Sequence, residues 1–95
     1  MDFAIITRTG DRVDVQPARR PSFTPDCRMA LEDARRVVRL RAGEHHTFTA
    51  QDGIHWYAAA GAHCIVLVAG AMSLSFERWD LCDVLGLSTP RSHLW

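Results

Sequence analysis

Residues 54–76 read IHWYAAAGAHCIVLVAGAMSLSF and contain no Asp, Glu, Lys or Arg. A membrane helix needs about 20 predominantly apolar residues, so the length suits a single span. Trp56 and Tyr57 near one end, with Phe76 and Trp79 near the other, stand where interfacial aromatics would sit. The finer pattern favours three strands, at 54–59, 62–69 and 72–77, with Gly61 and Gly70 at the turns. Met72, Leu74 and Phe76 alternate with Ser73, Ser75 and Glu77, the period-2 signature of a sheet with one dry and one wet face. Lipid would reward no such alternation. Ile65 to Val68 form a β-branched apolar run that suits a central strand buried on both faces. A two-residue type II′ turn at Gly70-Ala71 pairs Ala69 with Met72, Leu67 with Leu74 and Ile65 with Phe76, all on one side. Val68 then faces Ser73, and Val66 faces Ser75, on the other.

Earlier in the chain, 3–9 and 12–16 form a predicted hairpin, because Val13 and Val15 alternate with Arg12, Asp14 and Gln16. The order Gly10-Asp11 fits a Gly-first type II′ turn, and Pro17 ends the ladder because it has no backbone N–H to donate. A Pro- and Arg-rich connector follows, with Phe23 its one large apolar residue. Thr24-Pro25-Asp26 carries the marks of a helix start: a capping hydroxyl, a Pro at the first helical position and an acid near the positive end of the dipole. Cys27, Ala30, Leu31, Ala34, Val37 and Val38 recur at three- and four-residue spacing and predict one buried stripe, with Gly43 as the stop. The helix is placed at about 25–41, and Arg28, Glu32 and Arg36 are spaced to pair on its outer side. Val38 and Leu40 alternate with Arg39 and Arg41, so the last turn also suits a strand.

Residues 44–50 and 54–59 predict a second hairpin around Gln51-Asp52-Gly53. Its register sets Ala50 opposite Ile54 and Phe48 opposite Trp56 on the core side, leaving His45, Thr47, Thr49, His55 and Tyr57 on the other face. Residues 78–87 suit a short helix burying Leu81, Cys82 and Leu85. Leu94 and Trp95 close an eight-residue tail.

At 95 residues the chain builds one domain and one core. Its 11 basic and 11 acidic residues balance, so net charge draws in neither nucleic acid nor an anionic membrane. The basic residues are all Arg, and seven of them fall between Pro17 and Gly43. Cys27, Cys64 and Cys82 are odd in number and far apart, which argues against a disulfide framework or a zinc ribbon; buried thiols are the expectation. The start MDFAIITRTGD lacks the basic and long apolar regions of a secretory signal. A reducing, cytoplasmic setting is expected.

Five histidines raise the question of a metal site. His45, His55 and His63, with His46, Cys64 and Glu44, are ligand-competent. Their spacing is poor. His45 and His46 are neighbours on a strand and point to opposite faces, and the hairpin register sets His45 about 13 Å along the strand from the Thr49 that pairs with His55. His63 and Cys64 diverge in the same way and make no nucleophilic dyad, and neither G-x-S-x-G nor a phosphate-binding Gly loop occurs. Cys27 in a first helical turn would have a lowered pKa, yet its place on the apolar stripe favours burial. Arg28, Arg35 and Arg39 offer contacts to phosphate; a solvated face partly neutralised by Glu32 and Asp33 is the preferred reading.

The sequence therefore predicts an α+β domain over residues 1–95: a small, mostly antiparallel sheet of five or six strands, one principal helix at 25–41 packed on it, and a short C-terminal helix. No cofactor is expected. The leading functional expectation is a non-enzymatic interaction module, an adaptor, inhibitor or assembly subunit, that meets another protein chain or its own copy through Trp79, Leu94 and Trp95. The alternatives are a ligand- or metal-binding domain built on the histidine face, and a membrane subunit spanning with residues 54–76.

Overall fold

The alternation read in the second half of the chain becomes a four-stranded meander. A computed structural model describes residues 3–19 and 22–87. The charge-free run is three strands and not one spanning helix: β5 (His55–Ala60), β6 (Cys64–Ala69) and β7 (Met72–Glu77), with β4 (His45–Thr49) on the outer side of β5. No helix among the described residues is long and apolar enough to cross a membrane. The predicted registers are met: Phe48 pairs with Trp56, Leu67 with Leu74 and Ile65 with Phe76. Gly70 takes a φ of +62° and Ala71 does not, as a type II′ turn requires. One detail differs. Ile65 and Leu67 are fully buried, but Val66 and Val68 are only half-buried, so β6 has one dry face.

A second, three-stranded antiparallel sheet holds β1 (Ile5–Thr9), β2 (Arg12–Gln16) and β3 (Cys27–Ala30), in that order. Gly10, at φ +59°, turns β1 into β2 as expected. β3 lies where the helix start was predicted. Cys27 and Met29 are buried against Val15 and Val13 of β2, whereas Arg28 is exposed. The apolar spacing there satisfies a helical stripe and a strand equally well, and the unpaired edge of β2 decides between them by offering a ladder of hydrogen bonds. The helix that remains is α1 (Leu31–Val38), so Arg28 lies on a strand and the predicted Arg28-Glu32-Arg36 row does not form. Nor does Gly43 end this helix; it lies beyond the turn, where its N–H donates to the Ala60 carbonyl at 2.8 Å. Phe23 is fully exposed in the connector.

Both helices leave a strand without an intervening loop, and neither has a side-chain cap. α1 receives its first main-chain bond from elsewhere: the Leu31 N–H donates to the Asp11 carbonyl at 2.9 Å. α2 (Arg78–Leu85) follows β7, buries Leu81 and Cys82, and ends at Gly86, whose φ of +72° lets Leu87 N–H reach the Cys82 carbonyl. The helices occupy the two seams between the sheets. A main-chain hydrogen bond crosses each seam, Ala4 N–H to the Ser75 carbonyl at 2.8 Å and Gln51 N–H to the Arg28 carbonyl at 3.0 Å. α1 packs along β3 and β4, α2 along β7 and β1, and the helices touch each other. The result is an α+β domain with seven strands in two sheets rather than one sheet of five or six. A single core fills the space between them, from Val13, Val15 and Met29 to Trp56, Ile65, Leu67, Phe76 and Leu81. Each such side chain contributes about 1.5–3 kcal/mol on burial, and this shared core holds the two sheets together.

Candidate functional site

Since helices sit at the seams, the outer face of the four-stranded sheet carries no helix. The period of two assigns its residues: His45, Thr47 and Thr49 from β4; His55, Tyr57 and Ala59 from β5; Cys64, Val66 and Val68 from β6; Ser73, Ser75 and Glu77 from β7. Thr47, Tyr57, Val68 and Ser73 form one cross-strand row, and His45, Ala59, Val66 and Ser75 the next. Among the strand residues of this face Glu77, at a corner, carries the sole formal charge, in a protein of which 23% is charged, and Arg19 of the connector lies beside Ser73 and Ser75 at its β7 edge. Surface this size normally carries interspersed charges of both signs; losing them is the mark of a surface that spends time out of water.

The face has a definite relief. Tyr57 is 42% exposed, and its ring stacks on His45 with centroids 5.1 Å apart and planes 17° from parallel. Thr49 Oγ1 and His55 Nδ1 share a hydrogen bond of 2.8 Å. Thr47, Thr49, His55, Tyr57, Val68 and Gly70 line a shallow cleft of about 440 Å³ at the hairpin end. Its groups are hydroxyls, an imidazole, a phenol and methyls. It offers apolar contact and neutral hydrogen bonding together.

The four described histidines are separately employed. His45 stacks on Tyr57, His55 bonds Thr49, and His63, in the turn before β6, lies tilted against Trp79 of α2 at 5.9 Å. His46 points to the inner side, where Nε2 lies 3.1 Å from Asp33 Oδ1 and the ring stacks on Phe48. Among the described residues no three His, Cys, Asp or Glu side chains gather as a metal site would require. Cys27 is on a strand and fully buried; burial, with the charges of Asp52, Asp14 and Asp33 adding to it, pushes its thiol far above the ordinary range. That environment is the reverse of an activated nucleophile's. Burial also raises the Cys82 thiol, against the pull of Arg78.

Of the residues expected to meet a partner, Trp79 is half-buried on α2. Arg28 is exposed on β3, in the other sheet, while Arg35 is exposed on α1 and Arg39 just after it. Leu94 and Trp95 lie outside the described residues. Two features escaped the sequence reading. Arg78 donates from Nη1 to the Val38 carbonyl at 2.6 Å and from Nη2 to the Gly61 carbonyl at 3.2 Å, tying the end of α1 to the β5–β6 turn. The openness of the sheet face is the other, because nothing in a strand's own pattern says where a helix will pack. Neither a protein-family model, nor a curated protein, nor a solved structure matches this chain.

Proposed function

We propose that this protein is a small non-enzymatic interaction module that binds through the outer face of its four-stranded sheet, and that the chain it meets there is a second copy of itself. The observation that supports this reading is the uncharged centre of the face, Tyr57, Ala59, Val66 and Val68, with the charges of Glu77 and Arg19 confined to its β7 edge. An isologous contact brings a surface against itself, so any charge near the two-fold axis meets its own kind. An uncharged centre removes that penalty, and a net charge of zero removes long-range repulsion between copies. Two such faces stack about 10 Å apart with their side chains interleaved.

The size of the face sets the strength. Four strands about 4.8 Å apart and six residues long cover a footprint of roughly 400 Å², about half the ~800 Å² per partner of a standard stable interface. A contact this small falls in the class of weak, transient interfaces. Sedimentation equilibrium between 5 and 500 µM tests it, run alongside Val66→Arg and Val68→Arg. Wild type should show a concentration-dependent dimer, and both variants should be monomers that melt as wild type does. A monomer at the highest concentration, or a dimer untouched by both substitutions, overturns the reading.

A further inference from the structure

A second surface, remote in character from the neutral sheet face, is formed by α1 and the turn after it. Arg35, Arg36, Arg39 and Arg41 are all exposed, and among the described residues no ion pair or side-chain hydrogen bond holds any of them. The sequence suggested that Glu32 and Asp33 would neutralise this face. In the folded chain Asp33 is turned to His46, and Glu32 pairs with none of the arginines. Glu44 uses Oε1 to accept the Arg41 backbone N–H at 2.7 Å. Four guanidinium groups thus stand against the carboxylates of Glu32 and Glu44, neither of which engages a guanidinium. At 3.6 residues per turn Arg35, Arg39 and Arg36 fall within an arc of about 100°, while Ala34, Val37 and Val38 are buried against the core.

We infer that Arg35, Arg36, Arg39 and Arg41 form a docking surface for the phosphate backbone of a nucleic-acid duplex, bound without regard to sequence. Charge complementarity identifies the occupant, and the company the arginines keep narrows it. The exposed positions of α1 are Glu32, Arg35 and Arg36, with no aromatic ring among them to stack on single-stranded bases. The apolar side of this helix is spent on the core, and in the turn after it Leu40 is half-buried and the exposed Ala42 is too small to enter a lipid headgroup layer. What remains is charge alone, and a duplex presents one negative charge per about 1.7 Å of its axis, two strands together. Guanidinium groups grip phosphate through paired N–H donors. That the residues are Arg rather than Lys adds nothing, because the chain contains no Lys.

Four phosphate contacts predict a slope of about −3.6 for the logarithm of the association constant against the logarithm of salt, so that raising salt from 50 to 200 mM weakens binding roughly 150-fold. Fluorescence anisotropy with labelled 20-base-pair DNA and RNA duplexes of scrambled sequence, from 25 to 200 mM salt, measures it. Each single Arg→Gln change among the four should flatten the slope by about 0.9, and the fourfold variant should abolish binding while keeping the wild-type melting temperature. Arg28→Gln, on the other sheet, should leave the slope alone. Absence of duplex binding at 25 mM salt, binding that survives in the fourfold variant, or preferential capture by vesicles of anionic lipid would each overturn the proposal. Sedimentation of the fourfold variant, which should dimerise as wild type does, lets a failed dimer and a failed duplex contact be read separately.

Discussion

Replacing Arg78 with Ala should unlatch the end of α1. The guanidinium supplies the Val38 carbonyl with a charged donor at 2.6 Å in a part-buried setting, across 40 residues of sequence, and adds a longer, exposed bond to Gly61 at 3.2 Å. The last carbonyls of a helix have no partner within it, and here no glycine cap provides one, since Arg39 at that position remains right-handed. A hydrogen bond involving a charged group contributes about 1.5–3 kcal/mol, and the exposed second bond adds little, so the loss comes to about 2–3 kcal/mol. With a urea slope of about 1–1.5 kcal/mol/M for a chain this size, the midpoint falls by roughly 2 M. Trp fluorescence on urea titration measures this, and Arg78→Lys, which keeps the charge and one donor, should recover about half. Amide exchange at Val37 and Val38 should accelerate before the core strands respond. A loss below about 0.5 kcal/mol, or an unchanged exchange rate in α1, would show that the latch contributes nothing and that side-chain packing alone holds the helix.

Three further outcomes follow from other contacts. The Cys27 thiol is held protonated in the fold, chiefly by burial, while the unfolded thiol ionises near its ordinary value, so its contribution to stability is full below that value and is lost as pH rises above it. Wild-type stability between pH 9 and 10.5 should therefore fall more steeply than that of Cys27→Ala, by up to about 1.4 kcal/mol per pH unit, and equal slopes would contradict it. For the link between β4 and α1, a double-mutant cycle on His46→Ala and Asp33→Ala should return a coupling of about 0.5–1 kcal/mol, as suits a pair with side chains 18% and 20% exposed; additivity would mean the contact is idle. Gly70→Ala forces a side chain onto a φ of +62° and should cost about 1–2 kcal/mol, seen as a melting temperature lower by several degrees, and an unchanged melt would refute the turn type.

The sequence was most readable where a single rule governed. Along 72–77 alternation fixed which side chains share a face, and Gly53 and Gly70 fixed where the chain reverses, so the registers of both later hairpins followed. Residues 25–30 failed because two rules agreed with the same letters. Cys27, Ala30 and Leu31 suit a helix, Cys27 and Met29 suit a strand, and the choice belonged to β2, whose free edge lies outside any local window. Losing those residues from the helix also displaced Arg28 from the arginine face and put α1 into a seam rather than over a sheet. The composition of the candidate site was visible in advance from the period of two, although Val66 and Val68 read as buried on both faces. Its exposure was not, because exposure depends on where α1 and α2 settle. Arg78 was hidden for the same reason: its carbonyl partners, Val38 and Gly61, come from distant segments.

Two-dimensional NMR of the amide groups during dilution from 500 to 10 µM reads the proposed meeting surface, the outer sheet face, directly. Concentration-dependent shifts confined to Thr47, Tyr57, Ala59, Val66, Val68 and Ser73, with residues of the three-stranded sheet unmoved, are the result expected. Spectra that do not change on dilution, or changes that fall on β1–β3 instead, would contradict it.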